Sequence, residues 1–566
     1  MNVLYALIGA LIFFLPGIFL SYLLLSKTEV TKRVMSIILF STLTSALLGI
    51  FLYYFSILST FNFILISVSL SFALFLLCTQ KKERHTEFNK DFLYIILAAL
   101  IGTLWRLFFI KSINNGSDAY SYSFSFIGKE IPDMGFYTGM AIDHSRFIGS
   151  GVFREITELL SLTSFLEIFG TFLYVFLFLG FIYLIFLEFR SRKAAYMGVA
   201  LMSLGPIELF YSASGYFGHS FSYLALFSLF LLYKKQDASY LAAALLLSTV
   251  MVFTYFTSSL VNAIASAGFM IALLAKGLLN KKFEKMKIMA FFAIILISCS
   301  VFLFSYDTGA GSSGNAELVT KHVKSISVNK YMDPTFLLLS AIRWQMLFFF
   351  LCGLTFVLHI FKKAARKEKI GEDFDLLLCL IPVLIVSLAF LYANYPTRVF
   401  DYFAFFGLLV LKIPKKYYKY LFIFSFVFLL LTGYYVMQDK KIFFENSDEE
   451  IGAVSWIMAS LNETVFCDQQ FASLLIEKGY YKVTGAGDGD PLVHSLFYQS
   501  NNETFFSAIK SLKERNVSYI AITKRMQEKF ILMVDIPQKP LKNINLYEEN
   551  LKKVYDNGDV KVYLTK

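Results

Sequence analysis

Long apolar runs separated by short basic segments set the rhythm of this chain. A run of roughly 20 apolar residues crosses about 30 Å of hydrocarbon as a helix. The pattern predicts such helices at 3–25, 34–54, 57–78, 92–110, 165–188, 194–212, 217–233, 239–254, 257–275, 287–306, 337–361, 374–392, 398–411 and 418–437. That makes about 14 spans. The run 239–275 is continuous and is divided near Thr254–Ser258, while 194–212, 217–233 and 398–411 are short. Three polar intervals break the pattern: 111–164, 307–336 and everything beyond 438. In the first, residues 151–163 have the spacing of an interfacial helix, with Phe153, Ile156, Leu159 and Leu160 turned to the membrane. The second opens on a Gly/Ser-rich run, Asp307 to Gly314, which reads equally as a lid or as a linker.

Beyond 438 the period changes. Helices are expected at Asp448–Leu461, Gln469–Lys478 and Glu503–Arg515, and strands at Thr464–Cys467 and Val517–Thr523. Residues 551–564 read as a hairpin turning at Asp556–Asn557–Gly558–Asp559, the sequence of a type I′ turn. The expected architecture is therefore an all-α polytopic membrane domain with a small C-terminal α/β domain. Its expected parts are a three-helix block at 1–90, a main membrane domain at 91–438 with loops 111–164 and 307–336, and the α/β domain at 439–566.

Composition supports that class. Hydrophobic residues make up 57% of 566 residues and charged residues 16%, with mean hydropathy +0.61, which excludes a soluble globular protein. The net charge of +11 does not imply nucleic acid. It lies in the short loops 26–33, 80–91, 189–193, 234–238, 276–286, 362–373 and 412–417, whereas the turns near 55, 213–216 and 255 carry no Lys or Arg. Basic loops stay cytoplasmic and contact membrane lipids. This orients the chain as a multi-pass plasma-membrane protein with the N-terminus, both long loops and the C-terminal domain outside. Residues 3–25 read as a retained helix rather than a signal peptide. The sequon asparagines Asn115, Asn462, Asn502 and Asn516 all fall in the segments expected outside. Cys78, Cys299, Cys352 and Cys379 lie in spans, and Cys467 stands alone outside, so neither a disulfide nor a metal-ligand spacing is indicated.

Ionisable residues near the membrane are unevenly placed. Arg106, Asp118, Asp143, His144, Arg146, Arg154, Glu208, His219, Asp307, Arg343, Arg398 and Asp401 all lie on outer loops or near the outer ends of spans. A coupled transporter places such groups near mid-membrane on broken helices. The distribution points instead to chemistry at the outer leaflet. A lipid-linked sugar flippase or exporter, and a non-catalytic membrane scaffold, are the rival readings.

The segment Gly116–Ser117–Asp118–Ala119–Tyr120, in a long outer loop after a transmembrane helix, resembles the first outer loop of the GT-C superfamily of polytopic glycosyltransferases. Tyr395–Pro396–Thr397–Arg398–Val399–Phe400–Asp401–Tyr402 resembles a late-helix arginine motif of such enzymes, and the outer tail resembles the terminal domain of prokaryotic members. The likeness spans roughly 90–566 and implies a GT-C-like fold and an inverting transfer. A sugar would pass from a polyprenyl-phosphate-linked donor to a glycan, lipid or protein acceptor on the extracytoplasmic face. On this resemblance Asp118 is the catalytic base, and Arg398 and Arg343 bind the lipid phosphate. Glu208, His219, Asp143 and His144 contact the acceptor or a metal. The cofactor is left open, with a divalent cation, magnesium or manganese, as the candidate. Simpler roles stand beside these: Asp118 as a helix cap, Arg398 as the partner of Asp401, His219 as an interfacial histidine. The chain departs from the family in having three helices ahead of the unit. It also lacks a clear Asp-X-Asp pair in the second outer turn and a Ser-Val-Ser-Glu-like motif later, which argues against an oligosaccharyltransferase acting on Asn sequons.

Overall fold

The computed structural model describes residues 3–25, 27–79, 85–109, 163–204, 217–254, 256–300, parts of 353–386, 447–468, 502–528 and 543–565, with single positions and short stretches between them. The described residues fall into two compact units, one up to Met437 and one from Ser447 onward.

The first unit is helical: α1 (Val3–Leu24), α2 (Val30–Tyr54), α3 (Thr60–Thr79), α4 (Lys90–Phe109), α5 (Thr163–Phe189), α6 (Arg192–Ser203), α7 (Phe217–Lys234), α8 (Ala238–Thr254), α9 (Phe256–Asn280), α10 (Lys285–Cys299) and α11 (Gly371–Leu378). Two three-residue strands, β1 (Lys27–Glu29) and β2 (His85–Glu87), pair in parallel between them. Five stretches are long and apolar enough to cross a membrane: Leu7–Leu24, Val30–Tyr53, Thr60–Thr79, Phe172–Phe189 and Ser259–Asn280. The unit is a polytopic membrane bundle. In hydrocarbon a helix satisfies its own backbone groups, so apolar runs of this length fold in no other way. The break within 239–275 falls where it is expected, since α8 ends at Thr254 and α9 begins at Phe256.

Helices that are apolar all round cannot choose a packing face by hydrophobicity, and small residues choose it for them. A Cβ on Gly17 of α1 would collide with Ser41 of α2, and one on Gly268 of α9 would sit 2.5 Å from the Pro382 Cα. On α3 the buried positions are Phe63, Ser67, Ser71 and Cys78, while Phe61 and Phe72 face outward. Met35, Ile38 and Leu39 of α2 share one core with α5 and α7. Aromatic rings knit its centre: Phe269 stacks on Phe291 at 5.5 Å and meets Phe230 edge-on at 5.0 Å.

Ile156 and Leu160 correct one expectation. Both are buried within the protein rather than turned to lipid, and the Leu160 carbonyl lies so close to Gly9 of α1 that no side chain would fit there. Phe153 lies outside the described residues.

The second unit contains α12 (Asp448–Ser460), β3 (Thr464–Cys467), β4 (Val483–Gly485), α13 (Asn502–Glu514), β5 (Val517–Thr523), α14 (Lys524–Glu528), α15 (Ile544–Asn550), β6 (Lys552–Asp556) and β7 (Val560–Leu564). The five strands lie in the order β4-β3-β5-β7-β6. The first three are parallel, and β7 runs antiparallel to both of its neighbours. α12 packs on one face with Phe471, Leu474 and Leu475, and α13 and α15 pack on the other. β5 is buried on both faces, as a covered central strand must be. Edge strand β6 exposes Lys552 and Lys553, a common guard against edge pairing.

The hairpin turns where expected but not as expected. A type I′ turn needs positive φ at both central residues, and here Gly558 has φ 91 while Asn557 is not among the positive-φ residues. The side chains close the turn instead. Asn557 Oδ1 accepts from the Val560 N–H at 2.8 Å and Asp556 Oδ1 from the Gly558 N–H at 3.0 Å. Of the sequon asparagines, Asn462, Asn502 and Asn516 are exposed, and Asn115 lies outside the described residues.

Candidate functional site

Asp118, Asp143, His144, Glu208, Arg343 and Arg398 all lie outside the described residues. His219 is placed by its backbone alone, in the first turn of α7. That turn marks one end of the bundle, shared by the end of α8, the start of α9 and the end of α10. Close to this end the polar side chains that are described are neutral, while Arg106 of α4 and Glu167 of α5, like His219, are placed by backbone alone. Asn262 of α9 donates through Nδ2 to Ser248 Oγ of α8 at 2.8 Å and to Ser298 Oγ of α10 at 3.0 Å. Ser259 Oγ donates to the Ser298 carbonyl at 3.2 Å. All four residues are buried. Such bonds tie helices together for about 0.6 kcal/mol each on average, and none of these groups is an acid or base at neutral pH. Among the described residues there is no group of three or more His, Cys, Asp or Glu able to hold a metal ion.

The opposite end is ionic. Asp91, in the first turn of α4, accepts from the Tyr183 and Tyr196 hydroxyls and from Asn89 Nδ2 at 2.8 Å, and pairs with Arg192 at 3.2 Å. Asp237, just before α8, pairs with Lys32 of α2 at 2.7 Å. Burial pushes the Asp237 carboxyl up, but Lys32 and the hydroxyl and N–H of Ser239 outweigh it and hold it below its ordinary value. Glu284, just before α10, pairs with Lys287 at 2.6 Å and Lys276 at 3.5 Å. Asp375 of α11 bridges Lys276 at 3.0 Å and Lys234 at 3.2 Å, and Asp373 pairs with Lys363 at 2.8 Å. Cations cap the helix C-termini here: Arg33 donates to the carbonyls of Ser21 and Leu25, and Lys287 to that of Tyr233. Acids at helix starts and cations at helix ends complement the backbone dipoles. Six of the seven loops expected on the cytoplasmic side thus meet at one end.

Sequence reasoning missed this lattice because it weighed the loops by Lys and Arg surplus. The available signal was an acid at the start of the next helix, in Lys90–Asp91, Gln236–Asp237 and Phe283–Glu284.

In the second unit Asp468 follows β3 and Arg525 lies two residues past β5. Arg525 forks onto Asp468 with Nη1–Oδ2 at 2.9 Å and Nη2–Oδ1 at 3.0 Å, and its Nε is 3.8 Å from Glu450 Oε1. The chain leaves β3 toward one face of the sheet and β5 toward the other. In doubly wound sheets that junction is where ligands bind. Here the protein's own buried ion triad fills it. Cys467 beside it is buried, which pushes its thiol up and makes it unreactive.

No protein-family profile matches the chain, and no curated protein matches it. Among solved structures, it is similar to the archaeal oligosaccharyltransferase AglB from Archaeoglobus fulgidus in complex with an inhibitory peptide and a dolichol-phosphate. That match has 13% identity, a TM-score of 0.46 and coverage of 77% of this chain and 70% of that one. An Archaeoglobus fulgidus oligosaccharyltransferase complexed with Zn and sulfate matches at 13% identity and TM-score 0.43, over 76% of this chain and 68% of that one. The same enzyme tethered through a disulfide to an acceptor peptide containing the NVT sequon matches at 13% and 0.43, over 76% and 69%. A likeness at this level assigns neither a reaction nor a substrate.

Proposed function

We propose that the protein is an inverting glycosyltransferase of GT-C type, moving a sugar from a polyprenyl-phosphate-linked donor to an acceptor at the membrane surface. The observation that carries this reading is the separation of charge along the bundle. Asp91, Asp237, Glu284, Asp373 and Asp375 are held in ion pairs at one end. The acid and base candidates Asp118, Glu208 and His219 belong, by sequence, to the other. Asp118 would take the proton of the acceptor hydroxyl as its oxygen attacks the anomeric carbon. The bond to the lipid phosphate breaks in the same step, and Arg398, with Arg343, stabilises the charge that develops there. A divalent cation, if used, would be held by Asp118 with Glu208 and His219 and would neutralise phosphate charge.

The test is purified Asp118→Asn protein given a polyprenyl-phosphate sugar. Removal of the base is expected to lower kcat about 100-fold or more, with donor binding retained. Arg398→Ala is expected to weaken donor binding as well. Undiminished turnover by Asp118→Asn removes Asp118 from the mechanism.

A further inference from the structure

We propose that the turn joining α9 to α10 docks the anionic headgroup of a phospholipid. The apolar span Ser259–Asn280 ends at this turn, so its next residues sit at the level of lipid headgroups. Those residues are Lys281 and Lys282, followed by Lys285, and all three are exposed. The lysines around them are committed: Lys276 and Lys287 share Glu284, the one acid between Lys276 and Ala290. Lys281, Lys282 and Lys285 form no ion pair with any described acid. Beside them in sequence Leu278, Phe283 and Met286 are 70%, 45% and 62% exposed, an apolar surface next to the three lysines.

The turn is built to hold this arrangement. Lys281 adopts φ 52, a left-handed position that normally takes Gly or Asn. The Lys282 N–H donates back to the Gly277 carbonyl at 3.0 Å, and Phe283 folds so near Gly277 that a Cβ there would lie 2.5 Å from its ring. A lysine at the position best suited to glycine keeps a third cation beside the other two. A phosphodiester anion accepts hydrogen bonds from several ammonium groups at once, while its acyl chains lie along Leu278 and Met286.

The experiment uses the full-length protein in detergent, titrated with phosphatidylglycerol or phosphatidylcholine, with retained lipid counted by native mass spectrometry. Each lysine is expected to contribute roughly fivefold to phosphatidylglycerol affinity. Lys281→Gly, which suits the backbone and so preserves folding, is expected to lose about that factor. The triple Lys281→Gly/Lys282→Gln/Lys285→Gln variant is expected to lose on the order of 100-fold, with phosphatidylcholine unchanged. Unaltered phosphatidylglycerol retention in both variants overturns the proposal. So does an equal loss from Lys193→Gln on another basic loop, which would mean a diffuse basic surface rather than a site.

Discussion

Single residues in the second unit carry charges that burial disfavours. Glu450 is buried, which pushes its carboxyl above the ordinary 4.5; the attraction of Arg525 and the Ser447 N–H pull it down by less. The folded chain therefore keeps a proton on Glu450 at pH values where the unfolded chain has lost it. Stability from this group is complete below about pH 4.5, falls as pH rises from there to the raised value, and stays reduced above it. Glu450→Gln retains a side-chain oxygen for the Ser447 N–H and removes the ionisation. Its unfolding midpoint, followed by Trp456 fluorescence with the other two tryptophans changed to Phe, should match wild type near pH 4.5, exceed it as pH rises from there, and level off past the raised value. A difference independent of pH would show that Glu450 ionises freely in the fold.

At the scale of elements, contact between helices rests on positions without side chains. Gly268 meets the backbone of Pro382, which cannot swing aside as a side-chain tip would. Gly268→Ala is expected to cost about 1–3 kcal/mol by overpacking. Gly353, where nothing lies within 4 Å of an added Cβ, is the control; Ala there is expected to stabilise by about 0.5–1 kcal/mol through helix propensity. Thermal midpoints in detergent decide both, and equal effects at the two sites would refute the close-packing account. The elements themselves were legible wherever local chemistry dictates them. The strands Thr464–Cys467 and Val517–Thr523 lie where the sequence places them, as does the break between α8 and α9. What was not legible depends on partners distant in sequence. Ile156 and Leu160 match an interfacial helix by spacing, and only their burial, with the gap that Gly9 leaves for Leu160, shows that they pack inside the protein. The Asn557–Gly558 pair suits a type I′ turn, yet Asn557 Nδ2 donates to the Glu449 carbonyl at 2.8 Å, a partner 108 residues away. Of the candidate site residues, only the backbone position of His219 is described.

Across the bundle, the described ion pairs gather at one end. Acids, lysines and Arg192, far apart in sequence, lock α2, α4, α6, α7, α9, α10 and α11 at one end, whereas near the other the described polar side chains are uncharged serines and an asparagine, with Arg106, Glu167 and His219 placed by backbone alone. If the ionic end serves only to hold the helices, breaking it should lower stability and leave chemistry intact. Asp375 is the sharpest probe, because among the described acids it alone joins Lys234 of α7 to Lys276 of α9. Asp375→Ala leaves two partly buried ammonium groups short of a partner, for an expected loss of about 1–3 kcal/mol. On the proposed mechanism the base and the phosphate ligands belong to the other end, so sugar transfer per folded molecule should stay within about twofold of wild type. Thermal midpoint and kcat measured on the same preparation separate the two effects. A kcat that collapses while the midpoint holds would place chemistry at the ionic end and reverse the assignment of the two ends.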